Sequence, residues 1–254
     1  MEVHAHSHTA PASGGTGRKK WTHYFWEFLM LFLAVFCGFL AEYKLEHTIE
    51  HQREKKLVNS LINDLKADTA RLISIINSRD IRDAQMDSIF VLLNSDDVSN
   101  HTKDIYFISV TISRNIIIQF FPNDGTIQQL KNAGGLRLIR KQLIADSIVK
   151  YDVATRSLEK FGEQEKDIVN IFRETAPELL NALQINKMTD TNNNPVRIGF
   201  NPPLETGYKQ FLNKFNYRLV SIKNINKGYR REAKKLYLQA TNLITTLKTE
   251  YHLK

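Results

Sequence analysis

Residues 23–47 read HYFWEFLMLFLAVFCGFLAEYKLEH, and the fold turns on what solvates them. The fourteen residues from Phe28 to Ala41 carry no charge, and aromatic flanks extend the apolar run from Trp21 to Tyr43. A helix of about 20 residues crosses a hydrocarbon core. The extended segment is therefore long enough to span, although its uncharged centre alone is short. Trp21, Tyr24 and Trp26 at one end and Tyr43 at the other match the aromatic belts of two membrane interfaces. Phe28, Leu31, Phe36 and Phe39 supply the lipid-facing bulk between them. Glu27 falls about one turn inside the interface, shallow enough for its carboxylate to reach headgroups or water.

A cleaved signal requires small residues ahead of the cut, but Phe39 stands two positions before Ala41. A lipid-modified cysteine fails on the same ground, because Phe36 precedes Cys37. A permanent anchor outweighs both, and outweighs a buried helix of a soluble protein. Arg18, Lys19 and Lys20 precede the segment and only Lys44 follows closely, which favours a cytoplasmic N-terminus; Arg53, Lys55 and Lys56 narrow that margin. The expected topology is a single crossing, with a short cytoplasmic tail and an exported C-terminal domain. Cys37 is the only cysteine, so no intramolecular disulfide forms.

The rest of the chain reads as all-α. Residues 1–20 are small, polar and glycine-rich and are expected to be a disordered tail; 21–43 form the transmembrane helix. Residues 44–95 continue it as a stalk and first bundle helix, since no Gly or Pro occurs between Gly38 and Pro122. Val58, Leu65 and Leu72 recur every seven residues, with Leu61, Ile62, Ile75 and Ile76 on the same face. Ser95 to Asn100 mark a turn. Residues 96–254 complete a long-helix antiparallel bundle. Within them, Ile105 to Phe121 read as a buried helix, Pro122 to Gly125 as a turn, and Thr126 with Gln129 as a capping box. Gly134 is placed to end that short helix in a left-handed conformation, with a second helix from Leu136. Ile148, Tyr151, Leu158, Phe161, Ile168 and Phe172 line a long helix interrupted near Pro177. A loop is expected near 184–203. Phe215, Ile222, Tyr229, Leu236 and Leu243, flanked by Leu219, Asn226, Ala233, Ala240 and Leu247, mark the last helix. Asn226, the one polar member, is placed to specify register.

Basic residues before an aromatic-rich anchor, a charged stalk, and the later LKNAGGLRLIRKQLIADSIVKYD (residues 130–152) resemble an uncharacterised bacterial family of single-pass helical membrane proteins. The resemblance covers the anchor and Leu130–Asp152. It implies a membrane anchor and a helical domain, with a bacterial inner membrane and a periplasmic C-terminal domain as the expected location, and carries no activity or site residues.

Candidate chemistry is sparse. His47, Glu50 and His51 fit H-x-x-E-H, in which two histidines share a helix face and bind zinc while the glutamate polarises a water. Their neighbours are charged on all sides, so a solvated stalk explains them more simply. His4, His6 and His8 alternate in the tail, a tract that chelates Cu, Ni or Zn without imposed geometry. Gly134–Gly135 ahead of Arg137, Arg140 and Lys141 lacks a full phosphate-loop signature and reads as an interhelical turn. The net charge of +8 resides in residues 204–254, which hold 11 Lys+Arg against 3 Asp+Glu. Lys227, Arg230, Arg231, Lys234 and Lys235 flank the apolar stripe of the last helix, as does a solvated face, so nucleic acid is not an expected partner. Asp80, Asp83 and Asp87 at helical spacing likewise read as a solvated acidic face. No nucleophile system or cofactor motif emerges. The expectation is a non-enzymatic, membrane-anchored helical scaffold whose partners are the lipid bilayer and a protein, another chain or a second copy. The rivals are a ligand-sensing helical domain that signals through a partner and a membrane-tethered metalloenzyme.

Overall fold

The computed structural model describes residues 17–114, 118–132 and 134–253, with side chains from Trp21 onward. His4, His6 and His8 lie outside these residues. Helix α1 (Gly17–Leu93) begins earlier than expected, taking in 17–20 from the anticipated tail. The chain divides into two compact units, residues 1–53 and 54–254.

In the first unit, every described side chain from Trp21 to Arg53 is exposed except Leu29, which is half-buried. Trp21 is 78% and Tyr43 70% exposed. Near its N-terminus, α1 is long and apolar enough to cross a membrane, and none of its apolar window is buried against protein.

The second unit is a helical bundle in which no strand forms among the described residues. Buried seam positions on its part of α1 run Glu54, Val58, Leu61, Leu65, Asp68, Leu72, Ile75, Arg79, Arg82, Met86, Ile89 and Leu93, with Ile62 and Asp83 buried beside them. The steps alternate four and three, the spacing that keeps one face turned toward near-parallel or antiparallel neighbours. After a 3-10 turn at Val98–His101, α2 (Thr102–Arg114) runs back along α1. Residues 118–124 continue that return leg without helix, followed by α3 (Gly125–Asn132). Helix α4 (Gln142–Thr175) climbs again, α5 (Ala182–Lys187) lies in the connection, and α6 (Leu212–Glu250) descends. Cross-links establish these directions. The Tyr251 hydroxyl donates to Glu54 at 2.5 Å, Arg230 pairs with Asp80, Lys223 with Asp87, and Asn216 donates to Asn94 at 3.1 Å. Helix α6 is therefore antiparallel to α1, and α4, bonded through Tyr151 to Asp68 and through Glu165 to Arg79, follows α1. The result is an up-down-up-down bundle with a broken second leg.

The seams of α4 and α6 continue the same rhythm. All ten stripe residues foreseen for α6, from Phe215 to Leu247, are buried. On α4 the series runs Ile144, Ile148, Tyr151, Thr155, Leu158, Gly162, Glu165, Val169 and Phe172; Phe161 and Ile168, expected on that face, are half-buried beside it. Two hydrophobic clusters result, one around Leu65, Tyr151 and Leu236, the other around Met86, Phe172 and Phe215.

Several local expectations are corrected. The helix expected from Ile105 to Phe121 stops at Arg114, because side chains from other helices claim the backbone beyond it: Arg79 takes the Ile118 carbonyl at 2.8 Å and the Tyr229 hydroxyl accepts from the Phe120 N–H at 2.7 Å. Thr126 lies inside α3 rather than capping it. The Asp64 carboxylate on α1 accepts from the Thr126 hydroxyl at 2.5 Å and its N–H at 3.3 Å, doing the capping from a neighbouring helix. Gly134 adopts the expected left-handed backbone, φ 65°. A 3-10 turn at Gly135–Leu138 and an extended Lys141 come next, so the helix expected at Leu136 starts at Gln142. Glu54 holds that extended piece, accepting from the Arg140 N–H at 3.0 Å. The loop near 184–203 contains the end of α5 and is anchored by fully buried Met188.

Candidate functional site

Between the two hydrophobic clusters lies a layer of buried charge. Arg79 and Arg82 on α1 are 0% exposed and Glu165 on α4 is 1% exposed. Each occupies a seam position, which is why helix packing forces it inward. Arg79 grips Glu165 with both terminal nitrogens, at 2.6 and 3.1 Å, and Arg82 pairs with the same carboxylate. Asn226 on α6 accepts from Arg79 at 3.0 Å and donates to the Arg79 carbonyl at 3.0 Å and to Asp83 at 3.2 Å. Asp83 is in turn 3.3 Å from Arg230. The Ile112 and Ile118 carbonyls complete the shell at 3.4 and 2.8 Å, bringing in the broken second leg. All four legs meet in this one network.

The arrangement carries both strain and compensation. Taking an ion out of water costs several kcal/mol even after relaxation. Burial pushes the Arg82 guanidinium below its ordinary range, Glu165 pulls it back up, and the nearby Arg79 charge lowers it. The Nε of both arginines is buried without a hydrogen-bond partner. Arg79 gains elsewhere, because its guanidinium carbon stacks 3.5 Å from the Tyr229 ring centroid. Burial, as the main cause, raises the Tyr229 phenol above its usual range. A cleft of about 410 Å³ shares Tyr229 as a wall, together with Gln119, Phe120 and Gly162, and carries Arg156 and Lys160 among its lining.

A second polar layer lies nearer the start of the bundle. Asp68, 1% exposed, accepts from the Asn123 N–H at 2.8 Å and from the Tyr151 hydroxyl at 2.7 Å. Burial first, then the Asp68 charge, pushes the Tyr151 phenol far above an ordinary tyrosine. Glu54 and Tyr251 repeat this pairing, with burial and Glu54 raising the phenol.

The residues singled out in the sequence are distributed otherwise. His47, Glu50 and His51 are exposed on α1, and no group of three or more potential metal ligands gathers among the described residues. Trp21, Tyr24, Trp26, Phe28, Leu31, Phe36, Phe39 and Tyr43 are all exposed around α1, and Cys37 is a free, exposed thiol on the same stretch. Of the acidic face expected to be solvated, Asp83 is the correction, being buried, while Asp80 and Asp87 stay exposed and pair with Arg230 and Lys223 of α6. The basic face of α6 is corrected in the same way at Arg230, whereas Arg231 and Lys235 keep to Glu232 at the surface. Sequence reasoning missed Arg79, Arg82 and Glu165. The signal was their place in the four-three spacing, which continues through them from Ile75 to Met86.

Comparison with protein-family models, characterised proteins and solved structures finds no match.

Proposed function

We propose that this chain is a non-enzymatic, membrane-anchored helical scaffold of the bacterial envelope. The observation that carries it is the exposure of the aromatic-edged apolar run from Trp21 to Tyr43. Large apolar side chains on every side of one helix have no favourable solvent except lipid or another protein. The proposed topology is a single crossing of the inner membrane, with basic Arg18, Lys19 and Lys20 on the cytoplasmic side and the bundle in the periplasm.

Recognition, rather than bond chemistry, suits the polar groups inside the bundle. Glu165 is held by two arginines, Asp68 by Asn123 and Tyr151, and Glu54 by Tyr251 and the Arg140 backbone. These carboxylates hold helices together. Outside, Phe90 and Val91 on α1 and Tyr217 and Val220 on α6 expose apolar surface, suited to contact with an envelope protein or a second copy.

Cys37, the only cysteine, is a built-in probe. In intact membranes carrying the full-length chain, a water-soluble maleimide is expected to leave Cys37 unlabelled until denaturant is added, and the chain is expected to stay in the pellet through high salt and alkaline carbonate. Rapid labelling together with release into plain buffer would overturn the anchor. Protease added to spheroplasts tests the topology: cleavage of the bundle supports a periplasmic domain, and protection until lysis reverses it.

A further inference from the structure

A second cavity, of about 200 Å³, opens among α2, the end of α4 and α5. Its walls are mainly apolar, formed by Val110, Ala176, Pro177, Leu180 and Ile185. Arg114 and Arg173 also line it, and among the described residues neither forms an ion pair with a carboxylate. Arg114 donates to the Asn193 carbonyl at 2.8 Å and to the Thr189 hydroxyl at 2.6 Å. Arg173 donates from Nε to the Ser113 carbonyl at 3.0 Å and to Asn170 at 3.2 Å, with a further bond from Nη2 to Ser113. All these acceptors are neutral, and each guanidinium retains N–H donors. Asp190, whose field reaches Arg114, is occupied by the N–H groups of Asn192 and Asn194. Ser109, 1% exposed and part of the wall, has a hydroxyl with no hydrogen-bond partner.

We propose that this cavity binds a small carboxylic acid with an apolar body, its carboxylate held by Arg114 and Arg173 and its body against Val110, Leu180 and Ile185. Planar guanidinium groups match a carboxylate in geometry and charge, and neither of these two is hydrogen-bonded to one. The volume equals roughly seven waters' share of liquid, the bulk of a short aliphatic chain or a single ring. The inference stands on this cavity alone and is independent of membrane anchoring.

The test is calorimetric titration of hexanoate, benzoate and 4-hydroxybenzoate into the full-length chain in a neutral detergent, matched between cell and syringe. Hexanol and hexylamine serve as controls for apolar partitioning. At least one acid is expected to bind saturably with a dissociation constant on the order of 1 mM or tighter, and both controls at least about tenfold more weakly. Exposed Arg173 is dispensable for burial, so R173Q is expected to retain helical circular dichroism and to weaken the acid about tenfold or more. Ala182→Phe, adding a ring at an exposed position on the cavity's rim, is expected to obstruct the mouth and weaken the acid about tenfold or more. The proposal fails if no acid saturates, if hexanol matches hexanoate, or if both variants bind as the parent does.

Discussion

The two parts of α1 invert the usual relation between side-chain type and exposure. From Trp21 to Tyr43 the helix carries its largest apolar residues, and they are exposed on every side. From Glu54 to Leu93 it carries charge on its inward face, and Glu54, Asp68, Arg79 and Arg82 are buried as thoroughly as Leu61 or Leu72. What differs is periodicity. A helix that is apolar all round has no face to turn toward a partner and must be solvated by something apolar. A helix with a strict four-three seam turns that seam inward whatever residue occupies it, and the neighbours then answer each polar member with a polar group of their own. Position on the helix, not hydrophobicity alone, decides burial.

The largest expected effect breaks the comparison on its apolar side. Replacing Leu33 and Phe36 together by arginine places two charges near the centre of the run. Each costs about 2.5–3.5 kcal/mol of insertion free energy at a helix centre, enough together to move most of the chain from the carbonate-resistant pellet to the supernatant or to degradation. The same double change at exposed Ile81 and Val91 of the bundle is expected to leave pelleting unchanged. Equal behaviour of the two pairs would remove the distinction between the halves.

The next effect breaks it on the charged side. Glu165→Ala leaves Arg79 and Arg82 buried without their common anion, and breaking a buried ion pair costs about 3–5 kcal/mol. Urea unfolding of the full-length chain in detergent, followed by circular dichroism at 222 nm, measures this. Removing all three charges at once, as Arg79→Met, Arg82→Leu and Glu165→Leu, is expected to cost less than the single change, since no unpaired ion remains. The triple variant still strands the Ile112 and Ile118 carbonyls and the Asn226 amide, so some loss persists. A triple variant worse than E165A would mean that the network contributes attraction well beyond compensating its own burial.

These variants also show which parts of the fold are legible in the sequence. The seam of α6 is readable from Phe215 to Leu247 because nine of its ten members are apolar and only Asn226 departs. The exposed apolar run from Phe28 to Ala41 is readable because no charge interrupts it. Arg79, Arg82 and Glu165 are hidden by their own chemistry: charge on a helix suggests solvent, and nothing local announces that partners on α4 and α6 stand at matching heights. The break after Arg114 is hidden for the same reason. Its β-branched run suits helix or strand, and the decision rests with Arg79 and Tyr229, which bind its backbone from elsewhere in the chain.

A smaller effect, dependent on pH, sharpens the comparison within the polar layers. The Tyr151 phenol is raised in the folded chain by burial and by Asp68, so the folded state keeps its proton where the unfolded chain releases it, from about pH 10 upward. Its contribution is complete below pH 10 and is lost as pH rises beyond it, because the folded form then binds more protons. Stability is expected to decline above pH 10. Tyr151→Phe is expected to cost about 1 kcal/mol at neutral pH through the lost bond to Asp68, and to make the alkaline decline shallower. An unchanged alkaline slope would place the titrating group elsewhere, with Tyr106, Tyr229 and Tyr251, all raised in the same direction, as the remaining candidates.

The smallest effect concerns Gly162, the seam position of α4 over which the broken second leg passes. A Cβ there would lie 3.1 Å from the Gln119 side-chain amide, which donates to the Gly162 carbonyl at 2.9 Å. Gly162→Ala gains about 1 kcal/mol of helix propensity and displaces a hydrogen bond of similar worth, so the single change is expected to be nearly neutral. With Gln119→Ala the obstruction is already gone, and adding Gly162→Ala is expected to stabilise by about 0.5–1 kcal/mol relative to that background. The difference between the two backgrounds isolates the close crossing from the intrinsic cost of glycine, as a double-mutant cycle requires. If alanine stabilises equally in both, the second leg does not need glycine beneath it, and the seam at 162 is a gap in α4 packing rather than a passage for the extended chain.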